Sequence, residues 1–242
     1  MHLYNNLNLL IIQLMQEFEI YLLAHRGFQR STVDNRLGHF RRMIGVLGLN
    51  GSGKSTLLNQ LVGAKVSIVS RKVQTTRSLV RGIAIEGDAQ IIFVDTPGIF
   101  APKRRLDRAM VTSAWGGAGD ADVIALLVDV RKGMTEEVEA ILAKLPEVRA
   151  PKVLILNKTD AIDPPRLLKL AADLNEKFAF AETFMISALK NKGLDVLRTK
   201  LAGMMKEGPW LYPEDQVSDA PLRALAAEIT REKLFERLHD EL

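Results

Sequence analysis

The sequence predicts an α/β domain on a six-stranded, mostly parallel sheet with helices on both faces. Three observations carry that expectation. From Met43 onward, short apolar runs alternate with amphipathic helical stretches. One such run leads directly into a glycine-rich loop, Gly48–Ser55, and then a helix. Glu86-Gly87-Asp88 joins two other runs as a hairpin-like turn, which places one antiparallel strand at the edge.

In order, the expected strands are Met43–Leu47, Leu79–Ile85, Gln90–Asp95, Val123–Asp129, Lys152–Leu156 and Thr183–Ile186. Helices are expected after Gly53, Arg105, Thr135, Pro165 and Lys192, and Pro164-Pro165 suits a first helical turn. Residues 1–42 read as a helical extension of two helices. The first runs from about Leu7 to Ala24, and the second is capped by Ser31 or Thr32 and reaches about Arg42. Residues 43–207 form the α/β domain. The run from Gly208 to Gln216 reads as a linker, and a last helix extends from Ala220 to Leu242 without a stop signal, as if cut in mid-domain.

Bulk properties narrow the function classes only slightly. The chain has 242 residues, 47% of them hydrophobic and 26% charged, enough to bury a real core. It has no cysteine, which excludes disulfides and thiolate metal sites and suits a reducing, cytoplasmic compartment. The net charge of +4 permits phosphate-rich partners without arguing for nucleic acid. The apolar stretch Leu7–Met15 is shorter than the ~20 residues a membrane span needs.

Gly48-Leu49-Asn50-Gly51-Ser52-Gly53-Lys54-Ser55 fits G-x-x-x-x-G-K-[ST] in strand-loop-helix context. Its glycines let backbone N–H groups approach phosphates, and the helix N-terminus adds partial positive charge. Lys54 would reach the β- and γ-phosphates and the Ser55 hydroxyl a Mg²⁺ ion, with Asn50, Gly51, Ser52, Gly53 and Thr56 completing the cradle. Asp95-Thr96-Pro97-Gly98 ends an apolar strand. Asp95 suits the Mg²⁺ shell, and the Gly98 N–H suits the γ-phosphate. Between them lies Gln74-Thr75-Thr76-Arg77, where a threonine, Thr76 rather than Thr75, could reach Mg²⁺ only while the γ-phosphate is present.

Asn157-Lys158-Thr159-Asp160 addresses the base. Guanine offers two donors on one edge, N1–H and the 2-amine, and one carboxylate, Asp160, can accept both. Adenine has an acceptor at N1 and no 2-amine, so it is rejected. Asn157 can bond the opposite edge and tie loops together, while the Lys158 stem packs over the base. Ser187-Ala188-Leu189, after the last strand, would offer a backbone N–H to the guanine oxygen. Each motif alone has a plain alternative as a turn or cap. Their joint order points to GTP and GDP.

At these residues the chain resembles the Era-type GTPases, a Ras-like bacterial family. The resemblance runs from about Met43 to the C-terminus through residues 55–63, 66–77, 95–100, 157–160, 212–216 and 226–233. It implies GTP hydrolysis with a nucleotide-driven switch, assembly of the small ribosomal subunit through 16S rRNA, a C-terminal KH domain, and in some members peripheral membrane association. Three departures stand out. The family pattern Gly-x-Pro-Asn-[Val/Ala]-Gly-Lys-Ser reads Asn50-Gly51-Ser52 here, so the asparagine that would hold potassium is replaced by Gly51, and potassium stimulation is not expected. The KH loop that clamps RNA lies beyond Leu242, so RNA binding by this chain is expected to be impaired. Residues 1–42 do not follow the family. Phe18-x-x-Tyr21-Leu22, Arg26-Gly27 and Thr32 instead resemble the first helical pair of a tyrosine recombinase, as in a fusion or hybrid.

The expected chemistry is in-line attack of water on the γ-phosphate, with Lys54, Mg²⁺ and loop amides stabilising charge. Ile99 stands where many regulatory GTPases place a water-orienting glutamine, so slow turnover is expected. Arg77, Lys103 and Arg104 are possible electrostatic helpers. The competing readings are a module that holds nucleotide without hydrolysing it and a DNA-binding recombinase fragment.

Overall fold

A computed structural model describes residues 40–69, 79–99, 105–119 and 121–237. The two N-terminal helices expected before Phe40, Thr76 with its neighbours Gln74, Thr75 and Arg77, and the pair Lys103 and Arg104 lie outside the described residues.

Six strands make the main sheet: β1 (Phe40–Gly48), β2 (Val80–Glu86), β3 (Ala89–Asp95), β4 (Val123–Asp129), β5 (Lys152–Asn157) and β6 (Glu182–Ile186). Their order is β2-β3-β1-β4-β5-β6, and a two-residue strand β7 (Lys206–Glu207) pairs with the start of β1. Only the β2–β3 hairpin and the β7 pairing are antiparallel. The helices are α1 (Lys54–Val62), α2 (Arg105–Gly119), α3 (Glu136–Lys144), α4 (Pro164–Lys177), α5 (Leu194–Gly203) and α6 (Leu222–Arg237).

Strand periodicity decides which side chains meet which helices. Along β4, Val123, Ala125 and Leu127 face a core with Leu57, Leu58 and Leu61 of α1 and Leu197 and Leu201 of α5. The alternate residues Ile124, Leu126 and Val128 face the other core, with Ala114 of α2, Val138 and Ile141 of α3, and Leu174 of α4. Both faces are covered, so β4 is buried throughout and reads as one apolar run.

Most strand bounds shift by about a residue from the sequence reading, and the start of β1 shifts further. Strand β1 begins at Phe40, where a helix was expected to continue to Arg42. Phe40 and Arg41 pair with Ala89 and Gln90 on one side and with Glu207 and Lys206 on the other. Long-range pairing of this kind overrides the local polar pattern. The stretch from Leu211 to Asp219, which spans the end of the expected Gly208–Gln216 linker and the residues after it, is pinned to the sheet. Val217 accepts a hydrogen bond from the Ile83 N–H at 2.9 Å, Ser218 bridges to Gly82, and Asp219 pairs with Arg81 at 2.8 Å. Buried Gln90 holds its other end, donating to the Tyr212 carbonyl at 2.8 Å and accepting from the Leu211 and Tyr212 N–H groups. The segment therefore covers β2, which would otherwise be an open sheet edge.

Candidate guanine-nucleotide site

The connections reverse direction at β1, which pairs with β3 on one side and β4 on the other. In an open α/β sheet that reversal opens a crevice beyond the carboxyl ends of the strands. The sequence motifs sit there: Gly48 ends β1, Asp95 ends β3, Asn157 ends β5, and Ser187 follows β6.

The phosphate loop turns through positive φ at Gly51 (75°) and Gly53 (99°) before α1 begins at Lys54. The Lys54 ammonium is buried and donates to the carbonyls of Gly48 (3.0 Å) and Leu49 (3.1 Å). Burial lowers its pKa to about 8, although nearby Asp95 pulls the other way. Asp95 is itself buried, and its Oδ2 accepts the hydroxyls of Ser55 at 2.7 Å and Ser67 at 3.0 Å. Half-buried Thr56 occupies the first turn of α1. Thr96 is anchored below, donating its hydroxyl to the Val46 carbonyl at 2.8 Å.

Gly98 is pressed against the loop. A Cβ there would fall 1.9 Å from the Asn50 side-chain oxygen and 2.9 Å from the Asn50 nitrogen. The next residue, Ile99, is buried and donates its N–H to the Gly48 carbonyl at 3.1 Å. It is core, with no polar atom to offer a water.

Asn157 joins the phosphate loop to the base motifs. Its amide donates to the Ser52 carbonyl at 2.9 Å, and its oxygen accepts the N–H groups of Lys158 (2.8 Å) and Ala188 (3.0 Å). Gly53 is the residue that leaves room for it: a Cβ there would lie 2.4 Å from the Asn157 amide nitrogen. Gly53→Ala is therefore expected to strain a left-handed backbone and break this junction. The expected cost is about 1–3 kcal/mol of stability, read by chemical denaturation, together with loss of nucleotide binding.

Asp160 lies on a short 3-10 turn, Thr159–Ala161, exposed beside the Ser187 hydroxyl. That hydrogen bond, with Lys190 and Lys192 nearby, holds its carboxyl below the usual range. Thr159 donates to the Ile186 carbonyl at 3.0 Å, and Ser187 and Lys192 exchange two backbone hydrogen bonds, so both base loops are pinned. The Ala188 N–H is engaged by Asn157, while the Leu189 side chain is exposed at the rim.

The Lys158 backbone is left-handed (φ 69°), and its ammonium bridges the Gly51 carbonyl (2.6 Å) and Asp129 (2.7 Å). Asp129 was not anticipated as part of the site. A carboxylate at the carboxyl end of a parallel strand, as at Asp95, was the available signal. Burial opposes its charge, but hydrogen bonds from Arg131 and Lys158 outweigh this and lower its pKa to about 2. Its contribution to stability is therefore complete above the ordinary carboxyl pKa and is lost as pH falls toward 2. Asp129→Asn is expected to destabilise the chain by about 2 kcal/mol at pH 7. The gap to the parent should narrow between pH 5 and pH 3 in denaturant titrations.

These groups fit a magnesium nucleotide. Ser52 is buried, and its hydroxyl has no hydrogen-bond partner among the described residues, a donor suited to a phosphate oxygen. Ser55 and Asp95 bring hard oxygen donors together. Among the described residues no group of three His, Cys, Asp or Glu could hold a metal alone. Magnesium commonly takes its other ligands from phosphate and water.

Residues 43–158 match the family model described as 50S ribosome-binding GTPase. The chain is 63% identical over 199 residues to GTPase Era of Rhizobium meliloti (strain 1021), covering 82% of this chain and 64% of that protein. It therefore spans about two-thirds of the length of such relatives. A crystal structure of Era in complex with MgGDPNP and nucleotides 1506–1542 of 16S ribosomal RNA is 41% identical, with a TM-score of 0.77, covering 81% of this chain and 67% of that one. Aquifex aeolicus Era bound to GDP·AlF4⁻ is 40% identical with a TM-score of 0.78, covering 84% and 69%. The nucleotide motifs, the strand order that gathers them and these likenesses agree: the chain belongs to the Era-type GTPase family.

Proposed function

We propose that the chain binds GTP and GDP with Mg²⁺, hydrolyses GTP slowly, and serves as the nucleotide switch of a protein acting in small ribosomal subunit assembly. The observation that carries this reading is Asn157, which ties the phosphate loop, the Asn-Lys-x-Asp motif and the Ser187–Leu189 loop into one site. Lys54 would bind the β- and γ-phosphates, the loop amides would hold developing charge, and Gly98 would offer its N–H to the γ-phosphate. Ser55 and Asp95, joined by Thr76, would hold Mg²⁺, which neutralises phosphate charge. The 16S rRNA fragment bound to a related Era supports RNA as the partner. A cytoplasmic place, or a peripheral one on the inner membrane face, would suit that partner.

Buried Ile99 supports slow chemistry, because water has no side chain there to orient it. Phosphate release from the purified chain is expected to stay below about 0.1 s⁻¹. Potassium is expected to change the rate little, since Gly51 has no side chain and its carbonyl already accepts the Lys158 ammonium. Turnover well above that rate, or strong potassium stimulation, would contradict the reading. Tight binding with no phosphate release would favour a nucleotide-holding module instead.

A further inference from the structure

Glu232 is a carboxylate that the nucleotide chemistry does not require, yet it is only 1% exposed. It projects from α6, accepts the Val69 N–H at 2.9 Å and forms an ion pair with Lys65. These two partners bracket a five-residue strap, 65–69, that follows α1 in the chain. Asn59 of α1 fixes the strap's middle. Its side-chain oxygen accepts the N–H groups of Val66 and Ser67, both at 2.9 Å, and its amide donates to the Ser67 carbonyl at 2.7 Å.

With its backbone held this way, buried Ser67 delivers its hydroxyl to Asp95 Oδ2, the oxygen that also accepts Ser55. One carboxylate oxygen is therefore steadied from two sides. If Ser55 is committed to a metal, Ser67 still fixes the carboxylate's orientation. Loss of a group that orients a metal-site carboxylate from behind typically lowers metal affinity by about 10–100-fold.

We infer that Ser67 is a positioning residue for the magnesium end of the nucleotide site, and that Glu232 sets its place through the 65–69 strap. The inference rests on the guanine-nucleotide reading. It makes the docking of α6 and the Mg²⁺ dependence of nucleotide binding reciprocally linked, because a coupling free energy acts in both directions.

The test is dissociation of mantGDP from the full chain across free Mg²⁺, with the rate in EDTA as the metal-free reference. Ser67→Ala is expected to raise the Mg²⁺ midpoint about tenfold while leaving the EDTA rate within about twofold. Glu232→Ala should raise the midpoint about threefold, and the double variant no further than Ser67→Ala alone, because both act on one path. Glu232→Gln keeps an acceptor for the Val69 N–H and should stay within about twofold of the parent. An unmoved midpoint in Ser67→Ala, multiplying shifts in the double variant, or no rescue by glutamine would overturn the inference. Failure of the parent to bind mantGDP at any Mg²⁺ would remove the nucleotide reading as well. Binding without these shifts removes only the inference.

Discussion

Replacing Lys54 with methionine is expected to stabilise the nucleotide-free chain while lowering its affinity for GDP and GTP by at least ~100-fold. The two effects share one cause. An ammonium buried beneath the phosphate loop has its pKa lowered to about 8, so the fold holds the charged form at a cost. The shift from 10.5 corresponds to about 3 kcal/mol below pH 8, which is relieved as pH rises from 8 toward 10.5. Methionine fills a similar volume without charge. Losing the hydrogen bonds to the Gly48 and Leu49 carbonyls takes back about 1 kcal/mol for each. At pH 7 the relief of desolvation is therefore expected to outweigh the two lost hydrogen bonds. Denaturant titrations should show the parent catching up with the variant as pH rises above about 8 toward 10.5. A variant less stable than the parent at pH 7 would mean that the carbonyl bonds outweigh desolvation. Phosphates would reverse the balance by surrounding the ammonium with negative charge, which is why the same substitution is expected to remove binding.

Asp160→Asn is expected to convert base preference with little effect on stability. The carboxylate can accept both guanine donors, and hydrogen bonds to an ionised acceptor are stronger than those between neutral groups. An asparagine presents one acceptor and one donor, so its amide would oppose one of the two guanine N–H groups. GDP affinity should fall about 100-fold or more, and xanthosine diphosphate, whose 2-oxygen accepts, should gain. Asp160 is exposed on a turn that Thr159 anchors independently to Ile186, so its loss should not disturb the fold. Competition against mantGDP with GDP, xanthosine diphosphate and ATP reads the change directly. Unchanged GDP affinity would disprove the assignment of Asp160, and equal competition by ATP in the parent would disprove guanine selectivity.

The sheet and the nucleotide motifs could be read from the amino-acid order, because both are local patterns. Apolar runs such as Val123–Asp129 are legible since a strand covered on both faces must be apolar at every position. The glycine loop and Asn157–Asp160 are legible since phosphate and guanine each demand particular donors and acceptors at fixed spacing. Pairings between residues far apart in the chain emerge only on folding. Gln90 reads as a strand residue but serves as the buried clamp on Leu211 and Tyr212. Glu232 is one of many charges in the expected last helix but is buried against Lys65 and Val69. Asp129 and Lys158, twenty-nine positions apart, meet only because β4 and β5 are neighbours in the sheet. A polar side chain is read locally as solvated. Whether it is instead buried and paired depends on which distant backbone and charged groups the fold brings within 3 Å of it.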